Sequence, residues 1–217
     1  MEIAYFGHSS FRIKTKTGSL VCDPYDAKAL GKAFPKVEAD IVTVSHDHDD
    51  HNAVSSVGGE PLVINLPGEY ELKGIRVSGF ESYHDKTKGE ERGRNTMFKI
   101  ECEDISILHC GDLGHTLSAE TIEMIDGVDV LLIPVGGFFT IDAEEARHVV
   151  EKLEPSIVIP MHYRNDAFSP EIMEKMAPLE DFLGKLGVTT YEAVPKLTVN
   201  RADFEENTKV VVLSQQS

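Results

Sequence analysis

The chain has 217 residues, 37 of them acidic and 21 basic, for a formal net charge of −16 at pH 7. That length suits one α/β domain with a substantial core, spanning 1–217. The charge makes nucleic acid an improbable partner, because phosphate-led affinity needs many Lys and Arg contacts. The start Met1-Glu2-Ile3-Ala4-Tyr5 lacks the basic and apolar regions of a secretion signal. No uncharged stretch approaches membrane-spanning length, so a soluble, cytoplasmic protein without membrane insertion is expected. Cys22, Cys102 and Cys110 are odd in number and unclustered, which predicts free thiols rather than a disulfide framework.

In chain order, residues 2–7 and 10–15 alternate or run apolar around Gly7-His8-Ser9-Ser10, and 19–22 lead into Asp23-Pro24, predicting short antiparallel strands. A helical turn is expected over 27–33, a strand over 41–44 and a short helix over 53–57. Further strands are expected over 62–65, 69–72 and 75–80, punctuated by Pro67-Gly68 and Lys73-Gly74. Residues 85–95 are charged, glycine-broken and without an apolar face, which predicts a mobile surface loop. Beyond it, strands over 97–100, 105–108, 128–133 and 157–159 alternate with helices over 119–125, 143–153 and 170–186, capped by Ser118 and Asp142 and closed by Gly187. Composition and periodicity support a mixed α/β class.

The most distinctive stretch is Ser45-His46-Asp47-His48-Asp49-Asp50-His51, behind the apolar run Ile41-Val42-Thr43-Val44. Carboxylates so crowded repel one another unless a cation turns them into ligands. His46 and His48 are alternate residues, so at an extended strand end both rings face one side and can grip one ion. A turn swings Asp50 and His51 toward a second position. Such mixed N/O ligation suits Zn2+ and is acceptable to Mn2+ or Fe2+.

His-x-His-x-Asp-His after an apolar strand resembles the signature of the metallo-β-lactamase superfamily. The resemblance implies a four-layer αβ/βα sandwich with its ligand loops along one edge. It also implies later ligands, matched here by His84, by Asp112 between glycines and by His162 at a strand end. Its pattern assigns His46, His48 and His84 to one metal, and Asp50, His51 and His162 to the other, with Asp112 bridging. Gly7-His8-Ser9-Ser10, Asp23-Pro24, Pro134-Val135-Gly136-Gly137 and Pro160-Met161-His162-Tyr163 resemble the ascorbate-phosphate lactonase and N-acyl-phosphatidylethanolamine phospholipase D branch.

The implied activity is a dinuclear metal-dependent hydrolase, in which a metal-bridging hydroxide attacks an ester, lactone or phosphodiester of a small molecule, anionic if the loop cations Lys86, Lys88, Arg92 and Arg94 meet it rather than stand as solvated charges balanced by Asp85, Glu90 and Glu91. Asp50 would orient that hydroxide. His109, His115, Tyr163 or water would protonate the leaving group, and the sequence does not choose among them. His8, His109 and His115 are otherwise spare imidazoles suited to orientation or structure. A nucleotide phosphodiesterase or nuclease is the alternative enzyme, and a metal-binding module without turnover the alternative class. Glycine-bounded β-edges admit a homo-oligomer.

Overall fold

The structure is a computed structural model describing residues 1–205 and 207–216. A six-stranded sheet runs in the order Leu197–Thr198, Glu2–Gly7, Ser10–Lys14, Ser19–Cys22, Ile41–Thr43, Leu62–Ile64. A seven-stranded sheet runs Lys209–Val210, Ile157–Met161, Val130–Pro134, Ile105–His109, Arg94–Cys102, Ile75–Tyr83, Gly68–Leu72.

Alternation in the strands decides how the sheets stack. Ile3, Tyr5, Leu20, Cys22 and Ile41 enter one core cluster with Val77, Met97, Phe98, Ile100 and Ile107 of the other sheet, so the two sheets face each other. Phe6, Val21 and Val42, one residue out of phase, fall in a second cluster on the opposite face, against Phe34 and Val54. Period-two alternation allots successive side chains to opposite faces. Over the seven-stranded sheet, helix Ala143–Leu153 buries Ala146, Val149 and Val150, and helix Leu179–Lys185 buries Phe182 and Leu183. On the outer face of the six-stranded sheet, Val54 of the 3-10 turn Val54–Ser56 packs with Phe34, whereas helix Ala27–Leu30 places Leu30 in a third cluster with Tyr25, Phe168 and Met176.

The parallel strands end in step. Cys22 pairs with Thr43 and Thr43 with Ile64, while Leu132 pairs with His109 and with Ile159. Every segment leaving these carboxyl ends, beginning at Asp23, Val44, Cys110, Val135 and His162, therefore emerges along one edge. Tyr83 pairs with Arg94 in the neighbouring antiparallel strands, which brings His84 and Asn95 to the same edge.

Two expectations are corrected. The single helix over 170–186 is two, Pro170–Met173 and Leu179–Lys185. Pro178 has no N–H to donate and disfavours helix at Ala177, whose N–H instead donates to Gly136 O at 2.8 Å. The segment 85–95 is an organised turn, and its last two residues, Arg94 and Asn95, already belong to a strand. The Asp85 carboxylate accepts the N–H groups of Thr87, Gly89 and Arg92, each at 2.8 Å, and that of Glu91 at 3.0 Å. These bonds hold the carboxyl well below the usual range despite its removal from water. Asp85→Ala orphans those donors together, so limited proteolysis should cut within 86–93 roughly tenfold faster or more than in the wild type.

Candidate metal centre

The strand before the histidine-rich stretch stops at Thr43, so His46 and His48 meet through a bend rather than through extended alternation. Their ring nitrogens, Nε2 of His46 and Nδ1 of His48, are 3.0 Å apart. A turn follows, with the N–H groups of His51 and Asn52 donating to His48 O at 2.8 and 3.0 Å. It carries Asp50 and His51 toward His8 and His162. His84, Asp112 and His162 arrive from the second sheet and close the cluster.

Asp112 is the hinge of this geometry. Its Oδ2 lies 3.2 Å from His84 Nε2 and 3.1 Å from His162 Nε2, and its Oδ1 lies 3.4 Å from His51 Nε2. Asp50 Oδ2 is 3.7 Å from His51 Nε2 and 3.0 Å from His8 Nε2. Three donor groups of metal-binding compactness result: His46, His48 and His84; His8, Asp50, His51 and His162; and His46, His51 and Asp112. Ligands about 2.0–2.1 Å from one tetrahedral ion sit roughly 3.3 Å from each other. The observed N···N and N···O separations fall around that value.

The electrostatics agree with a cation. Burial works against the charge on Asp112, yet His162 and His51 hold its pKa well below the usual carboxylate range. Asp50 is likewise held low against burial by His51 and His8. Burial pushes His46 down to about 2, with His51 adding to the effect, and His8 down to about 4, with His162 adding. His51 is raised: burial lowers it, but Asp112, Asp50 and Asp23 together outweigh that. Without a cation, its Nε2 must carry a proton to face two carboxylates. That buried nitrogen has no hydrogen-bond partner among the described residues. An orphaned buried nitrogen beside two ionised carboxylates fits a divalent ion.

A model for a beta-lactamase superfamily domain matches residues 2–162. This chain belongs to that superfamily. A metal-dependent hydrolase from Pelotomaculum thermopropionicum is 30% identical over 193 residues, covering 75% of this chain and 84% of that protein. Another from Thermoplasma acidophilum is 27% identical over 221 residues, covering 91% and 96%. A solved structure from Thermotoga maritima, described as a candidate Zn-dependent hydrolase of the metallo-β-lactamase superfamily, is 37% identical, with a TM-score of 0.81 and coverage of 98% and 97%. The chain is a metal-dependent hydrolase of the beta-lactamase superfamily, and its paired sheets with outer helices have the metallo-β-lactamase fold. Among the described residues, no helix is long and apolar enough to cross a membrane.

The superfamily motif residues His46, His48, Asp50, His51, His84, Asp112 and His162 all come together. The expected proton donors do not join them. Nε2 of His109 is 2.8 Å from Ser9 O, its Nδ1 accepts from Gly111 N at 3.3 Å, and burial keeps the ring neutral. With both nitrogens engaged, it ties strands together and has no proton to offer. Tyr163 faces a separate cleft with Tyr5, Glu180 and Tyr191, where burial raises its phenol to about 12. His115 braces the Asp85 turn, accepting from Tyr83 N at 3.2 Å while its Nδ1 lies 2.8 Å from Thr116 O.

Sequence reasoning did not find two supporting residues. Asp23 is fully buried; its Oδ2 is 2.8 Å from His51 Nδ1 and accepts from Ser45 Oγ at 2.5 Å, and its Oδ1 accepts from Ser45 N at 2.8 Å. It fixes the tautomer that leaves His51 Nε2 free for a metal. The signal was Asp23-Pro24 at a strand end, noted only as a family likeness. Asn95 Oδ1 accepts from Asp112 N at 2.9 Å, while its Nδ2 donates to Ser82 Oγ and Cys110 O. His8, Asp23 and His162 hold φ of 55°, 42° and 52°, left-handed backbone that L-residues rarely adopt. Asp23→Asn should turn an amide N–H toward a donor and weaken metal affinity about 10–100-fold, as measured by competition with a chelator.

Proposed function

We propose that this cluster holds two divalent ions and that the protein hydrolyses an ester, lactone or phosphodiester bond in a small anionic molecule. His46, His48 and His84 would bind one ion, Asp50, His51 and His162 the other, and Asp112 both. Zinc is the best match to so imidazole-rich a set, with manganese or iron acceptable. The observation that carries the reading is the position of Asp112: one oxygen lies against a histidine of each set, and the other against His51. Bound ions would supply an acidified water and polarise the scissile carbonyl or phosphoryl oxygen.

The protein's own groups divide the remaining work. Asp50 is the carboxylate that solvent reaches, with its side chain 25% exposed against 2% for Asp112 and 0% for Asp23. It is therefore placed to orient an attacking water, while the His8 ring fixes the carboxylate at 3.0 Å. His48 is also exposed, so substrate approaches from the His48–Asp50 side. We take the whole chain as one such domain, because residues from Met1 to Leu213 enter a common core cluster.

Elemental analysis of purified protein, followed by a chromogenic panel of esters, lactones and phosphodiesters, tests this. We expect about two ions per chain and turnover of at least one class. Removing the ions with a chelator should abolish turnover and lower the melting temperature, since any ion bound only to the native state stabilises it. Bound metal with no turnover of any class would instead make the protein a binding module.

A further inference from the structure

Four cations follow His84 in the sequence, and the fold treats them unequally. Lys86 Nζ is 2.6 Å from Glu145 Oε1, and Arg94 is 3.3 Å from Glu81 Oε1. Lys88 is exposed and lines neither cavity beside the metal cluster. Arg92 pairs with no carboxylate among the described residues, although the chain carries 37 acidic residues against 21 basic ones.

Arg92 is also where the two cavities beside the cluster meet. The larger, about 440 Å³, opens on His46 and His48 and is walled by Leu66 and Pro67. The smaller, about 260 Å³, reaches His84 and Phe138. Two carboxylates of the larger cavity are already engaged, Glu81 by Arg94 and Asp47 by Asn52 Nδ2 at 2.7 Å. Arg92 is thus the uncommitted charge there.

Its position is fixed from both ends. The backbone N–H donates to Asp85 at 2.8 Å, and the guanidinium lies 6.0 and 5.8 Å from the ring centres of Phe138 and Phe139. Lys175 sits over the same rings at 5.7 and 5.9 Å. Phe138 is 60% exposed and holds φ of 55°. A bulky side chain gains little from standing in water on left-handed backbone, and such an outlier beside a site points to use. Here it forms a platform that presents a guanidinium, whose planar fork suits the oxygens of an anion.

We propose that Arg92 is the specificity-determining residue: it binds the carboxylate or phosphate oxygens of a small substrate whose apolar part lies along Leu66 and Pro67. This rests on the hydrolase reading for the word substrate, but the anion site itself can be tested separately. Benzenesulfonate carries an apolar ring and an oxyanion that coordinates divalent ions poorly. By calorimetry it should bind the wild type, bind about 10–100-fold more weakly to Arg92→Ala, and be partly recovered by Arg92→Lys. Lys88→Ala should bind it as the wild type does. In turnover, Arg92→Ala should raise KM for mono-4-nitrophenyl succinate about tenfold or more, while leaving kcat and the neutral 4-nitrophenyl acetate little changed. No binding by the wild type, equal binding by Arg92→Ala, or equal loss on both esters would overturn the assignment. Arg92-dependent binding with neither ester hydrolysed would leave the anion site standing and count against ester hydrolysis alone.

Discussion

Asp112→Ala is expected to empty the centre. Elemental analysis should show one or both ions lost, and kcat/KM on any substrate found should fall about 10³-fold or more. The magnitude follows from Lewis-acid activation worth several kcal/mol, at about 1.4 kcal/mol per tenfold in rate. Asp112 touches both histidine sets, so its removal should affect two sites, whereas His48→Ala should affect one. Calorimetric titration of the metal-depleted variants with zinc separates the cases. Two-ion binding by Asp112→Ala with wild-type affinity would remove the bridging role.

The second large effect concerns backbone rather than a ligand. Gly114 donates its N–H to Tyr83 O at 2.9 Å, and a Cβ there would collide with the backbone of both His84 and Asp85. Backbone cannot rotate away as a side chain can. Gly114→Ala should therefore cost about 3 kcal/mol, the upper range for overpacking, or roughly 6–12 °C in Tm for a chain of this size. It should also displace His84 relative to Asp112 and weaken metal binding. Gly127→Ala is the comparison: φ is 62° there but nothing lies within 4 Å of the added carbon, so only the conformational cost of about 1 kcal/mol is expected. If the two variants melt alike, close backbone approach at Gly114 is not what sets the centre.

Local chemistry made much of the centre readable in advance. His46, His48, Asp50 and His51 are near neighbours in sequence, so their crowding could be judged without knowing the fold. His84, Asp112 and His162 stood out only because strand ends and glycines matched a family pattern. Asp23 and Asn95 were not read as parts of the centre, since Asp23-Pro24 at a strand end does not by itself point to a histidine 28 residues away. The same limit explains His109 and Tyr163: each neighbours a motif residue, and side-chain direction at a strand end depends on packing that spacing does not encode. The Asp85 turn was misread as mobile because its stabilising bonds run from backbone N–H groups to one carboxylate, a pattern that charge and glycine content conceal.

By itself, the sequence determined the alternation that stacks the sheets, the caps of the helices at Ser118 and Asp142, and the metal-binding character of the chain. Each is a property of residues within a few positions of one another. Only the tertiary structure decided that Asp112 lies between two histidine sets, that Asp23 sets the tautomer of His51, and that Arg92 pairs with no carboxylate among the described residues while Lys86 and Arg94 do. Those are contacts between segments far apart in the chain, and they exist because parallel strands from two facing sheets end along one edge.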